Sequence, residues 1–193
     1  MNIVRRCSFK RSPWKNGGGI THEAMRVPAT GDPFLWRVSL AQIDSSGPFS
    51  DFAGYERTMV LLQGPGIALT HGNGQQQMLK NVGDCVEFAG AMATHCALLG
   101  GPCWDLNLMV AESLRSKARV ERVVDRVIAA AAGETTLIFG IESPLSLASD
   151  GGETARLEPW DLAVLSPGNA RLNNMTPEGR SEAGAVFIAT ITR

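Results

Sequence analysis

The sequence predicts an all-β protein built from two similar β-units, and three observations predict this class. Turn-forming residues are dense, with 21 Gly and 10 Pro among 193 residues, and the segments between them are short, as in β-sandwiches and barrels. Several of these segments alternate apolar and polar residues with the period of two that a strand has. Apolar segments and turn glycines also recur in the same order in the two halves of the chain, as a duplicated unit would leave them.

Composition and charge are those of an ordinary globular chain. The net charge is −1 and basic residues are scattered, so nothing indicates a nucleic-acid-binding surface. The first residues lack the apolar run of a signal peptide, and no segment approaches the ~20 apolar residues of a membrane span. The four cysteines form no CxxC pair, which argues against structural zinc and a dense disulfide framework. We expect a cytoplasmic protein without nucleic-acid or membrane partners, and a homodimer is left open.

The stretch WKNGGGITHE at residues 14–23 is the first element with several chemically distinct side chains. Glycine tolerates positive φ and lets other groups approach its backbone, so three consecutive glycines here form either a site loop or a structural turn. A tryptophan precedes them and an alternating strand follows, which argues against a flexible linker. We interpret the stretch as a site loop.

Two later segments predict strands that carry polar pairs. Apolar residues alternate along residues 34–43, and Arg37 and Ser39 share one face of that strand. Residues 103–110 behave similarly, with Asp105 and Asn107 on one face. The other segments of the first half are a turn-rich loop at residues 46–54, strands at 57–62 and 67–70 joined by the turn QGPG, and an apolar segment at 82–90.

Residues 112–132 fit two kinds of element. The alanine-rich end at residues 128–132 favours a helix, whereas VERV at residues 120–123 is typical of a strand that opens a second half. Both alternatives stay open at this point.

The internal repeat appears when residues 57–90 are aligned without gaps with residues 135–168, an offset of 78. Apolar segments fall on apolar segments, and the turn glycine Gly74 falls on Gly152. Identity is low, and chance can match glycines and leucines because both are common. The shared order of strands and turns nevertheless favours a duplicated β-unit.

The two polar pairs need partners if their strand faces point into a barrel, because unpaired buried polar atoms are costly. One interpretation is a structural network in which Arg37 and Asp105 satisfy each other. The other is a cavity in which these groups hold a polar ligand, and the planar fork of arginine suits a carboxylate.

A metal site is not expected. The chain has three histidines, His22, His71 and His95, and none forms a close His-x-His pair of metal ligands. A lone histidine is more often an ordinary hydrogen-bonding residue than a metal ligand. Cys96 follows His95 directly, but neighbours on a strand point to opposite faces, so a thiol–imidazole nucleophile is only weakly indicated.

Two kinds of motif carry a resemblance to known proteins. Gly83-Asp84 before a short apolar strand, and DLAVLSPG at residues 161–168, resemble the turn in which a cupin strand runs from Gly-Asp to a Pro-Gly corner. Four longer motifs, WKNGGGITHE, FLWRVSLAQI, GPFSDFAGYERTMVLLQGPGIAL and WDLNLMV, occur in order within the first 110 residues and resemble the HutD/Ves family. The second half carries weaker motifs.

The resemblance implies a bicupin, with two small jelly-roll (RmlC-like cupin) barrels in one chain. The first barrel, at residues 1–112, would hold the ligand site, and the second, at 113–193, would be degenerate. It further implies an association with bacterial histidine utilisation and a protein that binds, without metal or other cofactor, a small anionic metabolite of the urocanate or formylglutamate class. The alternative is an isomerase or hydrolase that uses Glu23, Asp105 or a histidine as acid or base.

The candidate ligand-binding residues combine the family motifs with the polar strand faces. Trp14 and the three cations would supply an aromatic wall and positive charge, while the carboxylates would orient the cations or accept a ligand N–H. Arg180, near the C-terminus, is expected to lie outside the site. The candidates are Trp14, Lys15, Asn16, Thr21, Glu23, Arg37, Ser39, Phe49, Ser50, Arg57, Asp105 and Asn107.

Overall fold

The computed structural model describes residues 1–123, 125–165, 167–174 and 184–192, and it is an all-β structure with 62% strand. Its described part contains one 3-10 turn, Arg6–Ser8, and no helix that is long enough to cross a membrane. The strands, in chain order, are β1 (Asn2–Val4), β2 (Lys10–Pro13), β3 (Gly19–Val27), β4 (Trp36–Ile43), β5 (Gly47–Pro48), β6 (Tyr55–Gln63), β7 (Ile67–His71), β8 (Gln76–Leu79), β9 (Cys85–Ala89), β10 (Thr94–Leu98), β11 (Cys103–Ala111), β12 (Arg115–Val123), β13 (Asp125–Ala130), β14 (Glu134–Gly140), β15 (Leu145–Ser149), β16 (Thr154–Leu157), β17 (Leu162–Leu165), β18 (Gly168–Asn174) and β19 (Gly184–Thr192).

The chain divides into two compact units, and the first residues do not belong to the unit that follows them. One unit is Phe9–Ser113, and the other combines Met1–Ser8 with Leu114–Arg193. The sequence-based division at 1–112 and 113–193 therefore differs from the structure in its first eight residues. The cause is the pairing of β1 with β17, which joins distant parts of the chain. A strand of three residues is too short for its sequence to indicate this pairing.

The unit Phe9–Ser113 consists of two antiparallel sheets. Six strands form one sheet in the order β2-β3-β4-β11-β6-β9, and four form the other in the order β5-β10-β7-β8. Apolar side chains from both sheets form one buried cluster, in which Met59, Leu61, Ile67 and Leu69 are fully buried. Burial of these side chains stabilises the unit by roughly 1.5–3 kcal/mol for each large residue.

The second unit repeats this arrangement. Its sheets have the strand orders β1-β17-β14-β19-β12 and β13-β18-β15-β16. The series β12-β19-β14-β17 corresponds to β4-β11-β6-β9, and the four-stranded sheets correspond strand by strand. The bounds of β7 and β15, and of β8 and β16, differ by the predicted offset of 78. Among the described strands the two units therefore share one strand order, which is consistent with the predicted duplication.

Most of the ambiguous residues 112–132 form two strands, β12 and β13, and none of the described ones is helical. β12 pairs with β19, and β13 pairs with β18 along its whole length. In β13, Ile128 and Ala130 are buried whereas Ala129 between them is exposed, which is the period of a strand. The helix propensity of the alanines is overridden because sheet pairing and burial of one face stabilise the extended form.

Candidate ligand-binding site

The register of the six-stranded sheet brings distant polar residues onto one face. Glu23 lies opposite Ser39, and Ser39 lies opposite Asn107 on the next strand. Arg57 and Asp105 stand two positions from this row on their own strands, so they share its face. Polar residues of four strands, β3, β4, β11 and β6, are therefore brought together by strand pairing.

These side chains line one cavity of about 890 Å³ within the unit Phe9–Ser113. The cavity is lined by all twelve residues that the sequence predicted, from Trp14 to Asn107. It is also lined by residues that the sequence analysis did not select, and these include Lys10, Arg26 and Phe52.

The reason for the missed residues differs from one to the next. Lys10 is placed by the edge strand β2, whose pairing with β3 puts it opposite Glu23. Phe52 lies in the turn-rich loop before β6, where no periodicity guides its side chain. Met109 offered a signal, since it follows Asp105 and Asn107 at the same spacing of two.

The stretch at residues 14–23 is a hairpin turn followed by the first part of β3. The predicted site loop is therefore shorter than the motif, because only the residues before Gly19 form the turn. The Trp14 N–H donates to the Gly19 carbonyl at 2.9 Å, and Gly17 has a φ of 71°. A Cβ on Gly19 would lie 2.3 Å from the Gln42 carbonyl oxygen and 3.2 Å from the Trp14 ring. Glycine is needed here because two neighbours approach its backbone closely. The second part of the motif, which carries Thr21, is in β3.

Trp14 forms part of the cavity wall and is held in two ways. Its indole N–H donates to Thr21 Oγ1 at 2.8 Å. Its ring meets the Phe49 ring edge to face, with 6.4 Å between centroids, an arrangement that aromatic pairs prefer. Asn16 in the preceding turn accepts a hydrogen bond from the Gly18 N–H through Oδ1. The wall is therefore ordered by contacts within the protein.

Aromatic rings surround the two central arginines. The Arg57 guanidinium carbon lies 5.1, 5.7 and 4.9 Å from the ring centroids of Phe49, Phe52 and Phe88. Arg37 lies 5.0 Å from the Phe52 ring. Such cation–π contacts stabilise a desolvated guanidinium group without neutralising its charge.

The buried polar groups at the base of the cavity are joined through an amide. Arg57 Nη2 donates to Asn107 Oδ1 at 2.8 Å, and Asn107 Nδ2 donates to Asp105 Oδ1. Within the described part of the chain, Asp105 Oδ2 and the Nε atoms of Arg37 and Arg57 have no hydrogen-bond partner. The network that the sequence offered as an alternative joined Arg37 to Asp105. The structure instead links Asp105 to Arg57 through Asn107, and Arg37 Nη2 donates to Met109 Sδ at 3.2 Å.

Burial governs the titration of this group of charges. It raises the pKa of Asp105 to about 7, against the opposing effect of the Arg57 charge. It lowers the pKa of Arg57 to about 10, against the opposing effect of Asp105. Burial also lowers the pKa of Arg37, an effect that Glu23 opposes. Asp105 is therefore a carboxyl group that titrates near neutral pH.

The cavity lining has an excess of positive charge. Five Lys or Arg side chains line it against three Asp or Glu side chains, and one of these carboxylates, Asp32, is paired with Arg26 at 2.5 Å. In the described ranges no ion pair involves Arg37 or Arg57. The lining favours an anion because half-buried Arg37 and buried Arg57 lack a carboxylate in contact among these residues.

The residues present do not fit the metal that many cupins hold. No histidine lines the cavity, and both ring nitrogens of His71 are engaged, with Thr94 Oγ1 at 2.9 Å and Gln77 Oε1 at 2.8 Å. The described residues contain no group of three or more His, Cys, Asp or Glu side chains that could hold a metal ion. Lining arginines and lysines would also repel a cation.

Cys96 is no better placed as a nucleophile. It is buried, whereas its neighbour His95 is exposed. Burial raises the pKa of the Cys96 thiol to about 12, so the reactive thiolate is disfavoured.

Fold and cavity together define a cupin-like all-β protein with an anion-favouring pocket, and comparison with solved structures agrees on the fold. The chain is 8% identical to a variant of oxalate decarboxylase from Bacillus subtilis, with a TM-score of 0.64 over 98% of this chain and 76% of that one. At that identity the likeness concerns the fold alone.

The HutD family model matches residues 6–182, and the chain belongs to this family. It is 36% identical, over 93% of its length and 94% of the relative's, to an uncharacterised 21.2 kDa protein in the hutC 3′ region of Pseudomonas putida. It is 35% identical to Protein Ves from Citrobacter koseri over 69% of each chain.

Two solved structures cover nearly the whole chain at 29% identity. A conserved protein of unknown function from Pseudomonas aeruginosa has a TM-score of 0.89, covering 100% of this chain and 98% of that one. HutD from Pseudomonas fluorescens, solved in a formate condition, has a TM-score of 0.81, covering 99% and 97%.

Proposed function

We propose that this protein binds a small carboxylate metabolite in the cavity of the unit Phe9–Ser113. The observation that carries the proposal is a pair of guanidinium groups, that of half-buried Arg37 and that of buried Arg57, which face the cavity without a carboxylate in contact among the described residues. A ligand carboxylate would supply the missing acceptor in a site where water competes weakly. Aromatic rings beside both arginines would cover the apolar part of the ligand.

We further propose that the ligand is an intermediate of histidine degradation and that binding modulates histidine utilisation. The support is the family membership and the relative in the hutC region. Urocanate is planar and carries one carboxylate, which suits the aromatic wall at Trp14 and Phe49; formylglutamate carries two, which suits the excess of positive charge. We place the protein in the cytoplasm, and the unpaired exposed thiols of Cys7 and Cys85 support this.

A thermal-shift screen with urocanate and formylglutamate tests the binding proposal. A carboxylate present at about 100 times its dissociation constant stabilises the fold by about 2.7 kcal/mol. For a chain of this size that corresponds to a rise in melting temperature of roughly 5–11 °C.

Arginine variants locate the binding. Arg37→Ala and Arg57→Ala should abolish the rise in melting temperature, whereas Arg11→Ala should keep it, because Arg11 is on the edge strand of the same unit and does not line the cavity. Arg180, the control that the sequence suggested, lies outside the described residues. The melting temperature of each unliganded variant is measured alongside. If both cavity variants melt lower and still bind, the two arginines are structural and the proposed site is wrong.

A second candidate function, an isomerase or hydrolase acting on a small carboxylate metabolite, is favoured by one observation. Asp105 is buried in the cavity with a pKa near 7, and a general acid or base works best when its pKa lies near the working pH. Turnover of urocanate or formylglutamate by the purified protein, lost in Asp105→Asn, would support this candidate. Saturable binding without any turnover supports the binding protein.

A further inference from the structure

We infer that the cavity takes up its anion together with a proton, and that Asp105 is the residue that receives the proton. This inference rests on the proposed binding function. It adds how the site accommodates the ligand carboxylate beside the buried carboxylate of Asp105.

The position of Asp105 in the cavity allows anion binding to be coupled to proton uptake. Its side chain is 1% exposed and lies at the base of the cavity. Asn107 holds one carboxylate oxygen, while the other, Oδ2, has no hydrogen-bond partner in the described part of the chain. The carboxylate is thus buried with half of its hydrogen-bonding capacity unused, and the cation nearest to it in the network, Arg57, is bonded to Asn107 instead.

The surroundings of Asp105 supply little to keep it ionised. Its register partners on the two flanking strands are Ala41 and Leu61, which are apolar. The thiols of Cys96 on β10 and Cys103 on its own strand interact with it, but burial raises the pKa of both, so they stay neutral.

The charges near this carboxylate come from two other strands. Arg57 on β6 acts on Asp105 and is itself opposed by the charge of Arg37 on β4. Arg37 in turn interacts electrostatically with Glu23 on β3, which raises the pKa of Arg37. Asp105 therefore depends mainly on Arg57 for its ionised form.

An incoming carboxylate competes for that same cation. Once it contacts Arg57, two negative groups share one buried site, and such pairs do not both stay ionised. Asp105 is the group that becomes protonated, because burial already holds its pKa near 7, far above the pKa of an ordinary carboxylate in solution. A proton from solvent then resides on Oδ2, the oxygen without a partner, from which it donates to the ligand.

Isothermal titration calorimetry with N-formylglutamate tests the inference. This probe stays fully ionised between pH 6 and pH 8.5, so any proton taken up belongs to the protein. Titrations at pH 8 in Tris and in triethanolamine, which are not anions and differ in ionisation heat, should reveal uptake of close to one proton per ligand. The affinity of the wild-type protein should fall about tenfold between pH 6 and pH 8.

Asp105→Asn provides the matched change, because asparagine has the shape of protonated aspartic acid and carries its donor permanently. This variant should bind without proton uptake, with an affinity independent of pH and about tenfold tighter than wild type at pH 8. Asp44→Asn is the control: Asp44 is an exposed carboxylate of the same unit, hydrogen-bonded by Gln42 Nε2, and does not line the cavity. It should behave as wild type.

The outcomes separate the inference from the function on which it rests. Binding by the wild-type protein with equal heats in both buffers overturns the inference and leaves the proposed function standing. A folded Asp105→Asn that no longer binds shows that Asp105 accepts a ligand donor, which also overturns it. If the wild-type protein binds no carboxylate at any pH, both fall. The wild-type titrations decide the question even if the variant does not fold.

Discussion

Asp105 links the chemistry of the cavity to the stability of the ligand-free fold. Burial raises its pKa in the folded protein from 3.8 to about 7, so between these values the folded chain binds more protons than the unfolded chain. Stability from this group is full below pH 3.8 and is lost as the pH rises through about 7. The expected loss is about 1.4 kcal/mol per pH unit inside that window.

Urea unfolding of wild type and Asp105→Asn from pH 4 to pH 8 measures this effect. The difference in unfolding free energy between the two proteins isolates Asp105, because the other titrating groups are shared. Wild type should lose stability relative to the variant up to about pH 7 and run parallel above it. A difference that stays constant over the whole range would show that burial does not raise this pKa.

The donor set of the cavity also predicts its behaviour toward metals. Because arginine and lysine side chains outnumber carboxylates and no histidine lines the cavity, purified protein should carry no stoichiometric transition metal. A chelator should leave the melting temperature unchanged. Elemental analysis after removal of any histidine tag checks this, and about one metal per chain would contradict it.

How much of the site could be predicted from sequence depends on the kind of residue. Asp105 and Asn107 were predictable because their spacing of two places both on one face of an apolar strand. Arg26 and Phe52 were not, since their places in the cavity depend on loop geometry and on strand pairs that form between distant segments. That no described carboxylate contacts Arg37 depends on how distant strands pack, and it has no sequence signature.

Among the elements, the hairpin of β2 and β3 fixes one wall of the cavity, and Gly19 is its critical residue. Gly19→Ala would place a Cβ 2.3 Å from the Gln42 carbonyl oxygen, a backbone atom of the neighbouring strand that does not move easily. We expect a loss of about 3 kcal/mol of stability. Displacement of Trp14, whose ring lies 3.2 Å from the same position, should also weaken carboxylate binding.

Gly47→Ala is the matched control for this substitution. A Cβ at Gly47 meets no atom within 4 Å, so the stability should change by no more than about 0.5 kcal/mol. Chemical denaturation of both variants checks the pair. Equal stability of Gly19→Ala and Gly47→Ala would show that the hairpin tolerates a side chain against β4.

Element type was predictable where one face is buried and one is not. The alternation of apolar and polar residues predicted β4 and β11 with bounds close to those observed. Residues 128–130 left helix and strand open, because short alanine-rich segments have helix propensity and only pairing with β18 decides the outcome. The glycine-rich motif showed that the backbone is special at residues 17–19, without showing where the turn ends and β3 begins.

At the scale of the whole molecule, the repeated strand order was predictable because turn glycines and apolar segments recur at the same spacing in both halves of the sequence. The path of the N-terminus was not, because β1 is three residues long and its pairing with β17 spans most of the chain. Asp161 is the residue that fixes this segment. It is 3% exposed, and its carboxylate accepts hydrogen bonds from the Arg6 N–H at 2.8 Å and from Arg5 Nη1 at 2.8 Å.

Replacing Asp161 should therefore release the N-terminal segment from its unit. Asp161→Ala leaves the backbone N–H groups of Arg6 and Glu158 without their acceptor, and loss of each partly buried hydrogen bond costs about 0.5–1.5 kcal/mol. Hydrogen exchange followed by mass spectrometry should show faster exchange in peptides covering residues 1–8. Glu153→Ala is the control, because Glu153 pairs with the terminal amine at 3.3 Å through a side chain that is 58% exposed, and such exposed pairs contribute little. If residues 1–8 exchange at the same rate in both variants, pairing of β1 with β17 holds the segment without Asp161.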